Sequence, residues 1–275
     1  MKIISYNING IRSSLNKGLE KFIESTGADI WCFQEVRAKV EITEKLLYPN
    51  QLTFFDGESN KNIFSSFYAY FNCAEKAGYA GTMILTRHKP DRVIYGFDDG
   101  EKDNEGRTLT LFFEKSKFAL VNAYIPNGNS RLDFKMEYIS KLNNYLSHLV
   151  KDYSVAVCGD FNIAHNEIDL TNPRECRNKS VFLPIERKAF DDLLKIGFID
   201  CFRHLYPDKI EYSWRSYRAI TNESQTEWTG RSFWKYRIDY FLLHNKGNVN
   251  LIDCKILQTP ISDHLPVLLT IEIKN

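Results

Sequence analysis

The chain has 275 residues, and its 36 Lys and Arg residues nearly balance its 35 Asp and Glu residues, which gives a formal net charge of +1. Its 43% apolar and 14% aromatic residues are enough to bury a large core, so the composition excludes an intrinsically disordered chain. The overall basic excess of most nucleic-acid-binding proteins is missing, so any site for a polyanion must be a local patch.

The first residues and the cysteines indicate a compartment. Met1 leads directly into the strand-like run 2–6 without a signal-peptide pattern, and no apolar run approaches the roughly 18 to 20 residues of a membrane helix. The six cysteines contain no C-x-x-C pair, which favours reduced thiols over a disulfide framework or a zinc site. We therefore expect a soluble, unexported protein with no membrane partner.

Short runs rich in β-branched and aromatic residues recur along the chain, and each predicts a strand. In chain order they are 2–6, 29–34, 66–71, 82–86, 107–113, 118–124, 154–158, 237–243, 251–257 and 265–273. Helical spacing of apolar residues appears at 15–23, 138–149 and 190–194. This order predicts one domain over 1–275, a four-layered α/β sandwich of two mostly antiparallel sheets packed face to face with helices outside. A doubly wound parallel sheet fits it less well.

Polar residues stand where several of these runs end or begin. Asn7 and Glu35 each follow a run, Asp160 and Asn162 follow the run that ends at Cys158, and Asp239, Asp263 and His264 come at or just before the last runs. In an antiparallel sandwich, residues after some strands and before others share one rim, so these groups can converge. The set would hold three to four carboxylates, two Asn amides and one His.

This inventory suits metal-assisted phosphodiester cleavage. Mg²⁺ takes oxygen ligands, and in phosphoryl-transfer sites one or two carboxylates hold it while phosphate oxygens complete its shell. An imidazole oriented by a carboxylate supplies a proton or a hydrogen bond, and Asn amides bind phosphate oxygens without added repulsion. Taken singly, each residue is more often a turn former or a solvated strand end than a site residue. The coincidence of the whole set favours the site.

The sequence resembles a known enzyme family over nearly its whole length. The segments that carry the resemblance are 7–12 (NINGIR), 34–35 (QE), 78–81 (GYAG), 122–127 (NAYIPN), 159–164 (GDFNIA), 237–240 (RIDY) and 262–267 (SDHLPV). In this order they are similar to the signatures of the exonuclease III type of apurinic/apyrimidinic endonucleases. A wider superfamily of deoxyribonucleases, sphingomyelinases and inositol-polyphosphate phosphatases shares only the metal and His positions, whereas 168–173 and 182–187 resemble the DNA-repair branch.

The resemblance implies roles for individual residues. It makes Glu35 the principal Mg²⁺ ligand, with Mn²⁺ able to substitute, supported by Asn7. It leaves open whether one metal or two take part and which group is the base, and it places Asp263 near the second metal position. It implies that His264, oriented by Asp239, contacts the scissile phosphate. It further implies that Asp160 activates or aligns the attacking water, that Asn162 holds that water or a phosphate oxygen, and that Tyr124 lies near the leaving oxygen. The implied metal site also includes Asp160, Asn162 and His264.

The resemblance also implies a pocket for an extruded, baseless sugar, with Trp214, Tyr236 and Ile238 as its wall. A close apolar wall would exclude an intact base, although an aromatic residue in a strand can equally be a core residue. Arg177 and Lys179 are the candidate contacts to the DNA backbone.

The chain departs from the family pattern in several places. Cys176 and Lys179 stand at positions where the family has Asn, and Val181 stands where Gly is expected. Lys179 could restore a phosphate contact as a point charge, and Arg37 retains the positive charge of a family Lys. Residues 218–235 form a longer loop than in the family, which either inserts into DNA or is a solvated excursion.

The expected activity is Mg²⁺-dependent hydrolysis of duplex DNA on the 5′ side of an abasic site, with 3′→5′ exonuclease or 3′-end trimming, in base excision repair. The expected partners are duplexes with abasic sites or blocked 3′ ends, bound by a monomer in the cytoplasm (nucleoid-associated) of a prokaryote or the nucleus of a eukaryote. Two alternatives are a phosphodiesterase for a lipid or small-molecule phosphate and a catalytically silent DNA-binding relative.

The charge balance separates into local regions. Residues 174–188 hold five basic and two acidic groups, residues 213–237 hold the same numbers, and residues 98–105 hold five acidic groups and one basic group. Two short basic stretches therefore flank the expected pocket. They predict compact, salt-sensitive binding over a few phosphates.

Overall fold

The computed structural model describes residues 1–48, 62–216 and 234–274. The strands in these ranges are β1 (Lys2–Asn7), β2 (Ile30–Gln34), β3 (Tyr68–Asn72), β4 (Thr82–Thr86), β5 (Arg92–Tyr95), β6 (Thr108–Phe113), β7 (Phe118–Tyr124), β8 (Ser154–Asp160), β9 (Ile199–Asp200), β10 (Trp214–Arg215), β11 (Lys235–Tyr236), β12 (Asp239–His244), β13 (Val249–Ile256) and β14 (Val267–Ile273). The α-helices are α1 (Ile11–Asn16), α2 (Leu19–Thr26), α3 (Val40–Leu47), α4 (Leu132–Leu149), α5 (Pro173–Cys176), α6 (Pro184–Lys195) and α7 (Cys201–Leu205). Most of the expected 218–235 loop lies outside the described residues.

Every predicted strand is present, with ends displaced by one or two residues in most cases. The predicted helix over 15–23 is divided into α1 and α2, because Gly18 has a φ of 92° in the left-handed region, where a continuous helix cannot pass. The sequence patterns did not predict α3, β5 or the two-residue strands. The strands among these have four residues or fewer, which is too few for a period to show.

Two six-stranded sheets make the fold. Their strand orders are β13-β14-β1-β2-β4-β3 and β5-β6-β7-β8-β12-β9. In each sheet a single central pair is parallel, β1 with β2 and β7 with β8, and the other neighbours are antiparallel. The predicted sandwich of two mostly antiparallel sheets is confirmed.

Three apolar clusters define the layers. The cluster between the sheets joins alternate residues of both, such as Ile3, Ile30, Leu120 and Ala156. A second cluster joins the outer face of one sheet to α4 and α6, and a third joins the outer face of the other sheet to α1, α2 and α3. This arrangement gives the four layers. Among the described residues, no helix is both long and apolar enough to cross a membrane.

The two sheets also meet through polar side chains near one end of the sandwich. Gln34 Nε2 donates to Asn122 Oδ1 at 2.7 Å, and Asn122 Nδ2 donates to the Phe33 carbonyl at 3.0 Å. All of these groups are buried. Because unpaired polar groups are costly in a core, the bridge fixes the relative position of β2 and β7 just below the rim.

Gly159 permits the close approach of β7 and β8. It has a φ of 142°, and a Cβ at this position would lie 1.7 Å from the Ala123 carbonyl oxygen. No side chain can move to relieve that contact, since the obstacle is backbone. The glycine of the Gly-Asp-Phe-Asn motif is therefore required by the sheet itself.

A buried ion pair network anchors the start of β12. Arg237 Nε donates to Asp169 Oδ1 at 2.8 Å, and Arg237 Nη2 donates to Asp200 Oδ2 at 2.7 Å. Arg203 Nη2 also donates to Asp169 Oδ1, at 2.7 Å. Burial raises the pKa of Asp169, but the two guanidinium groups and the Asn166 amide outweigh it, so the net shift is downward.

We predict that Gly159→Ala lowers the free energy of unfolding by more than about 3 kcal/mol, because the backbone of β7 or β8 must move. Gly247→Ala is the matched control. Gly247 also has a positive φ, 100°, but nothing lies within 4 Å of an added Cβ, so only the conformational cost of about 1 kcal/mol applies. Urea denaturation of both variants measures the difference, and equal losses would contradict the steric argument.

We predict that Asp169→Asn lowers the free energy of unfolding at pH 7 by about 3 kcal/mol, because Arg237 loses a buried partner. The carboxylate of Asp169 has a lowered pKa in the folded state. Its contribution is therefore complete above the unfolded pKa of about 4 and is lost as the pH falls through the folded value. Urea midpoints from pH 7 to pH 3 should show the two proteins converging, whereas Asp208→Asn, at an exposed position, should match the wild type throughout.

Candidate active site

The strand directions bring the predicted polar residues to one rim. Since β1 runs parallel to β2 and β7 runs parallel to β8, their carboxyl ends face the same way, and Asn7, Glu35, Tyr124 and Asp160 stand at these ends. The antiparallel β12 begins at the same rim, where Asp239 pairs with Asp160.

Asn7 joins carboxylates from the two sheets. Its Nδ2 donates to Glu35 Oε1 at 2.9 Å and to Asp160 Oδ2 at 3.0 Å. Tyr124 donates its hydroxyl proton to the same Glu35 oxygen at 2.8 Å, and Arg37 forms an ion pair with the other oxygen. Burial and the nearby carboxylates of Glu35 and Asp160 raise the pKa of Tyr124 well above its usual value, so this phenol remains a donor.

The connections after β2 and β8 have unusual backbone. Glu35, Arg37 and Asn162 have φ angles of 54°, 54° and 50°, in a region that costs a non-glycine residue roughly 1 kcal/mol or more. Asn162 is held there because its backbone N–H donates to Asp160 Oδ1 at 2.9 Å and its Nδ2 donates to the Ile125 carbonyl at 3.0 Å. This backbone conformation directs the side chains of Glu35 and Asn162 into the rim.

His264 lies between two acids. Its Nδ1 is 2.9 Å from Asp239 Oδ2, and its Nε2 is 3.8 Å from Asp160 Oδ2. Burial lowers the pKa of His264, but Asp239 and Asp160 outweigh that effect and raise it to about 10. Burial raises the pKa of Asp160 to about 7, with Asp239 and Glu35 acting in the same direction and His264 opposing them.

The donor set fits a hard divalent cation. One ligand atom from each of Glu35, Asp160 and His264 lies within 4.8 Å of the others, and two of the three groups offer carboxylate oxygens, as Mg²⁺ and Mn²⁺ prefer. The predicted ligands Asn7 and Asn162 also face this cluster, but they present Nδ2 to the carboxylates and act there as donors.

Asp263 lies apart from the three-residue cluster. Asn9 Nδ2 donates to its Oδ1 at 2.9 Å, and Trp214 Nε1 donates to its Oδ2 at 3.1 Å. Burial raises the pKa of Asp263, but His264 and these two donors outweigh it, so the net shift is downward. Both oxygens of this predicted ligand therefore already have partners.

The predicted pocket wall is continuous. The rings of Trp214 and Tyr236 stack with centroids 4.9 Å apart, and both pack with the buried side chain of Ile238. Trp214 also forms a backbone bridge to His264. The apolar wall thus joins the polar cluster directly.

The two predicted DNA-backbone residues differ in their contacts. Lys179 Nζ lies 4.0 Å from the ring centroid of Trp234, while Arg177 is exposed and pairs with Glu167 at 3.4 Å. Cys176, at a family Asn position, places its Sγ 3.5 Å from the Tyr236 hydroxyl. That cysteine supports the pocket wall.

Sequence reasoning missed the group beneath Tyr124. Arg107 is almost fully buried; its Nη1 donates to the Tyr124 carbonyl at 3.0 Å, and its guanidinium lies 4.6 Å from the Tyr124 ring centroid. Glu105 and Tyr79 hold the remaining nitrogens of Arg107. Tyr79 belongs to the Gly-Tyr-Ala-Gly motif, so that motif was the available signal.

Comparisons with known proteins agree with this geometry. Residues 4–264 match the profile of the endonuclease/exonuclease/phosphatase family. The chain is 37% identical over 279 residues to an exodeoxyribonuclease of Bacillus subtilis (strain 168), covering 99% of this chain and 100% of the relative. It is 35% identical over 278 residues to the DNA repair nuclease APEX1 of Danio rerio, covering 99% and 83%. The fold matches the AP endonuclease LMAP of Leishmania major with a TM-score of 0.79 at 26% identity, covering 98% and 86%.

Proposed function

Because the chain belongs to the endonuclease/exonuclease/phosphatase family and is a DNA repair nuclease, we propose that it hydrolyses the phosphodiester on the 5′ side of an abasic site in duplex DNA. The products are a 3′-hydroxyl and a 5′-deoxyribose phosphate, as base excision repair requires. The observation that carries this proposal is the contact between the Glu35, Asp160 and His264 cluster and the aromatic wall at Trp214. The exodeoxyribonuclease relative supports 3′→5′ exonuclease or 3′-end trimming at the same centre.

Magnesium is the proposed metal, held by Glu35 and Asp160, and when bound it offsets charge on the phosphate oxygens and on the leaving oxygen. The side chains act on the attacking water, the phosphate and the leaving oxygen. Asp160 accepts the proton of the attacking water, while Asn162 aligns that water or a phosphate oxygen. His264, protonated and held by Asp239, donates to a non-bridging phosphate oxygen as charge develops there. Tyr124 donates a hydrogen bond to the leaving O3′, which becomes the 3′-hydroxyl by taking up a proton from water.

Substrate choice follows from the wall formed by Trp214, Tyr236 and Ile238. A sugar without its base presents an apolar face that fits such a wall, whereas an attached base would need space that the stacked rings occupy. Extrusion costs least where the base is already missing. Pocket shape thus selects the site, and the basic stretches add non-specific attraction.

We further propose that the enzyme works as a monomer, in the nucleoid-associated cytoplasm if the source is prokaryotic and in the nucleus if it is eukaryotic. The proposed substrate supports the two compartments, because duplex DNA lies in the nucleoid of a prokaryote and in the nucleus of a eukaryote. Gel filtration of the purified protein tests the first part.

We predict that Glu35→Ala and His264→Asn each lower metal-dependent incision of a synthetic abasic duplex by at least about 100-fold, as expected when charge stabilisation or proton donation is removed. The assay compares one labelled abasic duplex with its intact counterpart, with Mg²⁺ and with EDTA. The exposed residues Glu24 and His204 provide Glu24→Ala and His204→Asn as controls of full activity. Wild-type incision in EDTA, or by either site variant with its fold intact, would reject the assignment.

We predict that Trp214→Ala lowers abasic-site incision about tenfold more than 3′-end trimming, because only the first reaction needs the whole sugar pocket. Trp214→Phe keeps a ring in the wall but removes the Nε1 donor to Asp263. It should retain most of the preference for the abasic duplex. Equal losses on the two substrates for Trp214→Ala would remove the case for a sugar pocket.

A further inference from the structure

Lys135 and Glu186 form a fully buried ion pair outside the polar cluster. Lys135 lies in α4 and Glu186 in the first turn of α6, and Nζ is 2.6 Å from Oε1, with neither side chain accessible to solvent. Lysine and glutamate are almost never fully buried unless they are paired. An apolar pair of similar volume would stabilise a core at least as well. The charged pair therefore needs a reason beyond stability.

Each partner reaches a different loop. Lys135 Nζ donates a second hydrogen bond, to the Asn162 carbonyl at 2.7 Å. Glu186 accepts from Ser180 Oγ at 2.8 Å and from the backbone N–H groups of Val181 and Leu183 at 2.9 and 3.0 Å. The pair thus joins the loop of Asn162 to the turn formed by residues 180–183.

Both loops have backbone that needs support. Asn162 has a φ of 50°, and Val181 has a φ of 96°, which is unfavourable for a β-branched residue. The Val181 carbonyl also accepts from the Ala164 N–H at 2.7 Å, so the two loops touch through backbone as well. A displacement of Glu186 would release the turn and, through Lys135, the Asn162 carbonyl.

A third loop, at residues 127–128, packs against the ion pair. A Cβ at Gly128 would lie 2.4 Å from Ser180 Oγ and 3.1 Å from Glu186 Oε1. The preceding Asn127 donates from Nδ2 to Asn162 Oδ1 at 3.4 Å. Asn127 therefore contacts the side-chain amide of Asn162, and Lys135 holds the backbone carbonyl of the same residue.

We infer that Lys135 and Glu186 are positioning residues that fix Asn162 for the hydrolytic step and couple it to residues 177–183, which carry Arg177 and Lys179. This inference rests on the proposed function for its link to DNA. Neither side chain is accessible to solvent, so the pair has no surface on which substrate could contact it. Its effect on the reaction passes through Asn162, whereas the general stability of α4 is a separate property.

The decisive test is a mutant cycle on incision of the abasic duplex. We expect Lys135→Met to lower kcat at saturating DNA by about tenfold or more, with KM changed less than about threefold, because Asn162 acts in the transition state. In an Asn162→Ala background the same substitution should change kcat less than about threefold. Equal effects in the two backgrounds would overturn the inference.

The matched control is Leu142→Ala, which also removes a buried side chain of α4 but lies seven residues, or about 10 Å of helix, beyond Lys135, in the apolar cluster between α4 and its sheet. It should lower the melting temperature as much as Lys135→Met and leave kcat near the wild-type value. An equal loss of kcat would mean that the effect is only structural. If Lys135→Met does not fold, Lys135→Met/Glu186→Gln removes both charges, keeps an amide oxygen for the turn, and is held to the same expectations.

Hydrogen exchange provides a readout that needs no activity. Peptides covering 160–164 and 178–184 should exchange faster in Lys135→Met than in the wild type, and both should be unchanged in Leu142→Ala. Unchanged exchange in Lys135→Met would overturn the positioning role, whatever the assays show. If the wild type cleaves no abasic duplex but the exchange result holds, the proposed function fails and the coupling of the two loops stands.

Discussion

The amide of Asn7 is the contact on which the active rim depends. One nitrogen donates to Glu35 of one sheet and to Asp160 of the other. The amide bridges two buried carboxylates, although burial, together with Asp239 and Glu35, still raises the pKa of Asp160 to about 7. His264 beside Asp160 and Arg37 beside Glu35 bring basic groups to these carboxylates at the point where the two sheets meet. The two sheets are thereby joined at the candidate active site.

Sheet topology makes that contact possible. Each sheet has one parallel pair at its centre, and the four carboxyl ends of these pairs point to a single rim. The antiparallel neighbours bring in the partners from the opposite direction, so Asp239 enters beside Asp160 and His264 precedes β14. Gly159 and the left-handed residues Glu35 and Asn162 are the local backbone features that this convergence requires.

Charge is distributed more selectively than the composition indicates. Of the basic groups counted near the pocket, Arg237 is fully buried against Asp169 and Asp200 and cannot reach a phosphate. Lys179 lies on Trp234, which extends the aromatic wall toward Tyr236. Among the described residues, the proposed pocket therefore has fewer basic groups available to phosphates than the sequence counts, and the proposed recognition of DNA depends more on the pocket and the polar cluster.

The sequence by itself determined the strand-rich sandwich, the polar residue at nearly every strand end, and, through the family resemblance, the identity of the enzyme class. Strand composition and motif spacing are local properties, so they can be read along the chain. The expected roles of the site residues stay predictions, as does the single domain over 1–275. The expected insertion or excursion at 218–235 lies mostly outside the described residues.

Tertiary structure alone decided which groups share a partner. Three sets of contacts join segments that are distant in the sequence. Asn9 and Trp214 donate to Asp263, Arg107 donates to the Tyr124 carbonyl, and Lys135 pairs with Glu186. No spacing encodes them, because they depend on how two sheets and their outer helices pack. Val181 illustrates the limit. The sequence showed a departure from Gly, but only the backbone angle of 96° explains why Gly is expected there.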